Sequence, residues 1–267
     1  MKFVAAARLR RAQEAALAAR PYAKELARVL RSTMARIESP QYPLLAKRPE
    51  ERVLLLVLSG ERGLAGAFNT NVLKQAHEFM RKKGKKISLI PIGKKGRDSL
   101  RKAGYQFVAE YVNVLARVDY KVAREIANLV SELYAKDDID AVYVVFSEFK
   151  NVMAPTLVVD KLLPIEEVKE GDEPEMPAPA AQVDYIYEQP EQQILDRLLP
   201  RYVETQILRV MLESCAAEYA ARMTAMEAAT RNAGEVIDAL TLHMNKVRQA
   251  AITKEIIEIV SGAASTA

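Results

Sequence analysis

Three glycines of the 267-residue sequence stand where a nucleotide-binding loop would lie. Gly60, Gly63 and Gly66 follow the apolar run at residues 53–58 and precede an amphipathic segment. Their spacing is G-x-x-G-x-x-G, whereas dinucleotide-binding loops carry G-x-G-x-x-G, and no Walker-A Gly-Lys-Ser/Thr follows. A tight strand-to-helix connection is therefore the favoured interpretation. A nucleotide-binding enzyme built on the central sheet remains the alternative.

Side chains that could act as nucleophiles or bind metals are few. Cys215 is the only cysteine, which excludes an internal disulfide and a zinc site built from cysteines. With only His77 and His243, a multi-histidine metal centre is disfavoured as well. Cys215 falls on the apolar side of a predicted helix, and no paired acid and base accompany it. We therefore predict no catalytic residue, no metal ligand and no cofactor.

Both ends of the chain are predicted to be long helices, at residues 1–38 and 190–261, with Pro200 in the first turn of the second. Steps of four and three residues separate their apolar and small positions, which is the pattern of a coiled-coil seam. The first seam is Ala5, Leu9, Ala12, Ala16, Ala19, Ala23, Leu26, Leu30, Thr33 and Ile37; the second is Leu212, Cys215, Tyr219, Met223, Met226, Thr230, Ala233, Ile237, Leu240, Met244, Val247 and Ala251. A long antiparallel two-helix coiled coil is the predicted arrangement.

The middle of the chain, residues 51–188, alternates strand and helix signals. Strands are predicted at residues 53–58, 87–92, 141–146 and 156–163, and helices at residues 69–83, 97–102 and 120–135. Apolar strands that alternate with helices indicate a mainly parallel sheet covered by helices. Pro91 is tolerated in the second strand only if it lies near an edge or an end. The predicted fold is an α/β, Rossmann-like domain inserted between the two helices of the coiled coil.

Charge is unevenly distributed along the chain. Residues 1–38 hold nine basic and three acidic residues, a net charge of +6. Such a segment favours an acidic partner surface, a nucleic acid or a targeting sequence. A coiled-coil nucleic-acid binder is therefore a third hypothesis, although no base-stacking aromatic residues are interleaved with the charges. No apolar run approaches the ~18 residues of a membrane-spanning helix.

Three stretches of the sequence resemble the gamma subunit of F-type ATP synthases. The most specific runs from Glu-Ser-Cys-Ala-Ala-Glu-Tyr-Ala-Ala-Arg-Met-Thr-Ala-Met at residues 213–226 into residues 229–233, and continues at residues 245–263. The start at residues 1–13 and the strand-turn segment at residues 59–69 are similar to the same family. The resemblance covers nearly the whole chain, and it favours the family's first helix over a targeting sequence for residues 1–20.

The resemblance implies a non-catalytic rotor, whose coiled coil turns inside a ring of alpha and beta subunits that catalyse ATP synthesis. The implied partners are the alpha, beta and epsilon subunits and the membrane c ring, and no nucleic acid is implied. Association with the membrane would be peripheral, through these partners, on the cytoplasmic side of the bacterial inner membrane.

Two sets of contact residues are carried over from the family. Arg248 and Gln249 match residues that contact an acidic loop of one beta subunit. Residues 183–188, with Asp184, Tyr185 and Tyr187, match the foot near epsilon and the c ring. The family's first helix begins several turns before the position that matches Met1, so the start is misassigned, the sequence is a fragment, or the helix is shortened. If Met1 is the true start, residues 252–260 are expected to lack a partner within this chain.

Overall fold

A computed structural model of the chain describes residues 2–34, 42–84, 86–151, 156–165 and 191–266. Its elements follow in chain order: α1 (Lys2–Met34), a 3-10 turn (Pro43–Leu45), β1 (Arg52–Leu58), α2 (Phe68–Lys83), β2 (Lys86–Ile92), α3 (Lys94–Lys102), α4 (Tyr120–Ala135), β3 (Ala141–Glu148), β4 (Thr156–Leu163) and α5 (Glu191–Thr266). The predicted strands and central helices are confirmed to within three residues at each end. None of the described helices is both long and apolar enough to cross a membrane.

The four described strands form one mixed sheet in the order β2-β1-β3-β4. β1 pairs in parallel with β2 and with β3, while β4 runs antiparallel to β3. Pro91 lies in β2, an outer strand of this sheet, as predicted. Residues 107–114 form no strand and contribute only isolated bridges from Phe107 and Tyr111 to β2.

Central strand β1 is buried on both faces, which explains its unbroken apolar sequence. Successive side chains of a strand point to opposite faces. Those of Leu54, Leu56 and Leu58 pack with α4 and with the part of α5 from Leu195 to Met211. Those of Leu55 and Val57 pack with α2 and with the part of α5 from Cys215 to Ala220. Helix α5 therefore contributes to the core on both sides of the sheet.

Helix α1 buries most of its predicted seam. Ala5, Leu9, Ala16, Ala23, Leu26, Leu30 and Thr33 are buried, Ala12 and Ala19 are half-buried, and Ile37 lies outside the described residues. The Arg8 guanidinium lies 6.0 Å from the centre of the Tyr219 ring. Further along α1, Arg20 bonds to Glu213, which precedes Tyr219 on α5. Later residues of α1 therefore contact earlier residues of α5.

Helix α5 differs from its prediction in two ways. It begins at Glu191, so the placement of Pro200 in its first turn was wrong, and Pro200 lies within the helix. It ends at Thr266, beyond the predicted residue 261.

The chain divides into two compact units, residues 1–224 and 225–267. In the second unit, side chains from residue 229 to 262 are exposed within this chain, except for the half-buried Asn245. Residues 252–260, for which the absence of a partner within this chain was expected, lie in this exposed stretch. Seam residues Ile237, Leu240, Met244 and Val247 are each more than half exposed.

Candidate functional site

The carboxyl edge of the sheet is where a ligand would bind in a doubly wound fold. Ligands in such folds lie between the two strands at which the strand order reverses, here β1 and β3. In this chain, α5 contacts the ends of both strands. Glu213 of α5 accepts a hydrogen bond from the backbone N–H of Phe149, just after β3, and the Glu218 carboxylate lies against Gly60, just after β1.

Small side chains allow α5 to approach this edge closely. Ala216, Ala217 and Ala220 are fully buried. Glu218 and Tyr219, which lie between them in the sequence, are 5% and 8% exposed. The Cys215 thiol donates to the carbonyl of Leu115 over 3.3 Å. Burial raises the pKa of Cys215 to about 12, so the thiol is held neutral in the core, as expected for a packing residue rather than a nucleophile.

The loop from Gly60 to Gly66 directs its polar groups toward the protein itself. The Gly60 N–H donates to the Asn69 side-chain oxygen over 2.7 Å. A Cβ at Gly60 would stand 2.9 Å from the Glu218 carboxylate. In a dinucleotide-binding loop, such N–H groups would face a pyrophosphate. Here the Gly60 N–H is already paired and the Glu218 carboxylate, which would repel an anion, lies beside it, so the geometry disfavours the nucleotide-binding alternative.

A second carboxylate, that of Glu61, also lies at the carboxyl edge of the sheet. The Glu61 side chain accepts hydrogen bonds from the backbone N–H groups of Lys94 (3.1 Å), Val114 (3.0 Å) and Leu115 (3.3 Å). These three hydrogen bonds to one carboxylate connect the loop after β1 to the start of α3 and to the segment before α4. The start of α3, at Lys94, therefore already has an anionic partner within the chain.

A closed set of bonds joins α1, α5 and the end of β3. The Arg20 guanidinium donates to the Glu213 carboxylate over 3.0 Å and to the Phe149 carbonyl over 3.0 Å. The Phe149 N–H donates to the other oxygen of Glu213 over 3.1 Å. The Glu213 side chain is only 2% exposed, whereas that of Arg20 is 43% exposed. We call Arg20, Glu213 and Phe149 the three-way junction.

Glu218 and Arg222 fasten α5 to the loop after β1. Arg222 forms an ion pair of 2.5 Å with Glu218 and also donates to the carbonyls of Arg62 (3.3 Å) and Gly63 (3.4 Å). Burial raises the pKa of Glu218, and the nearby Glu61 adds to this effect, while Arg222 opposes it. Burial therefore disfavours the charged form of the Glu218 carboxylate, and the ion pair with Arg222 stabilises it.

The third buried glutamate of α5, Glu204, connects this helix to α4. It accepts hydrogen bonds from the Tyr120 hydroxyl and from Arg201, and Arg124 of α4 lies 3.6 Å away. Burial, followed by the contact with Glu204, raises the pKa of Tyr120, so its hydroxyl stays a donor at neutral pH. Glu204 itself is 6% exposed.

These three glutamates were not singled out from the sequence. A signal did exist for two of them, because Glu213 and Glu218 interrupt residues 210–221, a stretch that is otherwise mostly apolar or small. Without the positions of Arg20, Tyr120 and the loop after β1, however, a glutamate on a helix is indistinguishable from a solvated surface residue.

The residues assigned to partner contacts fall elsewhere. Arg248 and Gln249 are exposed on α5 in the second unit, and Arg248 forms no ion pair with the part of the chain that the structure describes. Asp184, Tyr185 and Tyr187 lie outside the described residues. Within the described ranges, no group of three or more His, Cys, Asp or Glu side chains is placed to hold a metal ion.

Comparison with known proteins gives a consistent result over nearly the whole chain. A family model described as ATP synthase matches residues 1–266. The ATP synthase gamma chain of Solibacter usitatus is 48% identical over 270 residues, which is 99% of this chain and 91% of the relative. That of Pelotomaculum thermopropionicum is 46% identical over 265 residues, with the same coverage of both chains.

Solved structures share the fold. A chain of the Tetrahymena thermophila mitochondrial ATP synthase central stalk and c-ring structure superposes with a TM-score of 0.65 at 20% identity, covering 86% of this chain and 97% of that one. A chain from the Euglena gracilis mitochondrial ATP synthase OSCP/F1/c-ring structure gives 0.62 at 19% identity, covering 97% and 94%. The match of the family model and the identity to the bacterial sequences together establish membership: this chain belongs to the gamma chain family of ATP synthases.

Proposed function

We propose that this chain is the rotary central-stalk subunit of a proton-translocating F-type ATP synthase. It transmits torque between the membrane c ring and the catalytic ring of alpha and beta subunits, and carries no catalytic residue itself. The observation that carries the proposal is the 48% identity to an ATP synthase gamma chain over 99% of this chain. Sequence identity at this level over a full chain implies the same role in the same assembly.

The shaft of this rotor is proposed to be an antiparallel coiled coil of residues 1–38 and 190–261, with residues 51–188 as the inserted α/β domain. The buried seam of α1 and the opposite order of its contacts with Tyr219 and Glu213 support this arrangement. Isolated long helices are only marginally stable in water, and pairing along a continuous seam stiffens them. A stiff shaft is what transmission of torque requires.

The second unit is proposed to be enclosed by the alpha and beta subunits. Its exposed large apolar side chains are Val236, Ile237, Leu240, Leu242, Met244, Val247, Ile252, Ile256, Ile257, Ile259 and Val260. Taken at 100° per residue they are spread around the helix rather than confined to one stripe. Partner subunits on several sides of the helix, in addition to a coiled-coil seam, fit this distribution.

Arg248 and Gln249 are proposed to contact an acidic loop of one beta subunit from this helix. Asp184, Tyr185 and Tyr187 are proposed to belong to the foot that contacts epsilon and the c ring. Placement on the cytoplasmic side of a bacterial inner membrane, through these partners alone, follows from the same proposal. The assignments rest on the family resemblance, and the exposure of Arg248 and Gln249 is compatible with a partner contact.

Assembly with the catalytic subunits tests the function. The chain is co-expressed with affinity-tagged beta and untagged alpha subunits, and we expect it to co-purify with both at one copy per ring. A chain that is folded but absent from the purified ring would contradict the proposal.

The contact assignment is tested separately in the assembled complex. We expect Arg248→Ala to lower ATP turnover or its coupling to proton transport, because an exposed guanidinium loses its acidic partner while the fold is untouched. Arg28→Ala is the matched control, since Arg28 is 58% exposed on α1 and pairs only with its helix neighbour Glu25 among the contacts found for it. Equal turnover and coupling in Arg248→Ala and the control would remove the assignment and leave the family membership intact.

A further inference from the structure

The three buried glutamates of α5 hold the helix from two roughly opposite sides, with Glu213 on one side and Glu204 and Glu218 on the other. Successive residues of an α-helix are rotated by about 100°, so Glu204 points about 180° and Glu218 about 140° away from Glu213. Each meets a different element: Glu204 meets α4, Glu213 meets α1 and the end of β3, and Glu218 meets the loop after β1. A rotation of α5 about its own axis would break all three sets of contacts.

We propose that the three-way junction of Arg20, Glu213 and Phe149 is the positioning joint that locks α5 to α1 and to the sheet, so that torque passes between them without slip. The inference rests on the proposed function. None of these residues is among the contacts carried over from the family. They act within the chain rather than on a partner subunit.

The geometry of the junction resists sliding as well as rotation. Each of its members bonds to both others, with distances of 3.0 Å, 3.0 Å and 3.1 Å. A shift of α5 by one residue moves Glu213 by about 1.5 Å along the axis and turns it by about 100°. That displacement would leave a carboxylate that is 2% exposed without its donors. Buried unpaired charges are strongly unfavourable, so the native register is favoured over slipped ones.

Apolar packing alone would give a weaker lock. Around the junction α5 presents the small side chains of Ala216, Ala217 and Ala220, which offer few projections to oppose sliding. Hydrogen bonds to a buried carboxylate depend on direction and distance, and buried polar groups are best attested as devices that fix register. Glu204 and Glu218 reinforce the lock at a distance along the same helix.

The test separates coupling from folding. This chain is assembled with its alpha, beta, epsilon and membrane subunits in inverted vesicles, with Glu213→Gln, Glu213→Ala or Arg20→Ala introduced. ATP hydrolysis is followed by phosphate release, and proton pumping by quenching of an acridine dye. The measured quantity is pumping per ATP hydrolysed.

Two controls match these changes. Ser214→Ala alters the adjacent residue, whose hydroxyl is fully buried and has no hydrogen-bond partner among the described residues. Arg28→Ala removes an exposed arginine from α1. Both controls are expected to pump as the unaltered chain does.

We expect Glu213→Ala and Arg20→Ala to lower pumping per ATP at least about twofold while hydrolysis continues, because loss of a buried ionic bond shifts a two-state equilibrium by about tenfold or more. Glu213→Gln keeps the shape of the side chain, and its carbonyl can retain one of the two bonds, so it is expected to assemble and to show a smaller loss. If the complex with Glu213→Ala fails to assemble, pumping per ATP in the Glu213→Gln complex is the deciding measurement.

Pumping per ATP at the unaltered level in Glu213→Gln and Arg20→Ala would overturn the joint. So would a parallel fall of hydrolysis and pumping, which is what a merely structural role predicts. A complex that contains the unaltered chain and hydrolyses ATP without pumping would instead overturn the proposed function itself. The two failures are therefore distinguishable.

Discussion

Gly93, between β2 and α3, tests how tightly the carboxyl edge of the sheet is closed. Its φ is +108°, and a Cβ built there would stand 1.9 Å from the backbone oxygen of Ser59. Since Ser59 lies at the buried end of β1 and its side chain bonds to the N–H of Gly96 over 2.7 Å, it has no room to move. A methyl group at this position therefore meets backbone and not a flexible side chain.

The cost of Gly93→Ala follows from two contributions. An L-residue in a sparsely populated backbone region costs about 1–3 kcal/mol. Overpacking a closed site costs about 1–3 kcal/mol more. We expect a loss of about 4 kcal/mol in the free energy of unfolding. In urea this lowers the unfolding midpoint by more than about 1 M, because m values are about 1–3 kcal/mol per M.

The matched control is Gly84→Ala. Gly84 also has a positive φ, +56°, but apart from its chain neighbours no described residue lies within 4 Å of the position of its Cβ. The left-handed conformation alone should cost about 1–2 kcal/mol there. Urea unfolding of the full chain, followed by circular dichroism, measures both variants. A Gly93→Ala midpoint no lower than that of Gly84→Ala would refute the steric argument.

Two further predictions concern ionisable groups in the same unit. Although burial raises it, hydrogen bonds from Lys83, Lys161 and Tyr143 lower the pKa of Glu50 from 4.5 to about 2, so its contribution to stability is present above pH 4.5 and is lost as the pH falls toward 2. Glu50→Gln should therefore lower the free energy of unfolding by about 1 kcal/mol at neutral pH, after allowance for solvent screening. It should also reduce the loss of stability between pH 4.5 and pH 2, and an unchanged loss over this range would contradict the prediction. Cys215, with its pKa raised to about 12 by burial, should react with iodoacetamide at pH 8 at least about a hundredfold more slowly in the folded chain than in urea, as mass spectrometry would show. Equal rates would mean that the thiol is not held in the core.

Local patterns in the sequence predicted most of the fold. The apolar run that became β1 is buried on both faces, so it needed no knowledge of its neighbours to be recognised. Helix α4 was predicted with both ends correct, because its apolar period is uninterrupted and Asp119 caps its start. Pro91 lies in an outer strand, which satisfies the expectation of an edge or end position, since a proline cannot donate to the ladder.

What the sequence could not predict depends on distant partners. Pro200 was placed at a helix start on propensity, yet packing of Leu195 and Leu199 into the core extends α5 two turns before it. The role of Glu213 depends on Arg20, which lies 193 residues away in sequence. No local pattern encodes such a pair. The partner residues Arg248 and Gln249 came from the family resemblance, and they stay a prediction.

Rotation of the chain inside its ring is the central claim, and it can be observed directly. Lys136, 67% exposed at the end of α4, is replaced by cysteine and biotinylated, while buried Cys215 stays unlabelled. A bead is attached to this site in a complex whose alpha and beta subunits are fixed to a surface. On addition of ATP, we predict continuous rotation of the bead in one direction. A bead that stays bound to an ATP-hydrolysing complex without turning would contradict the account.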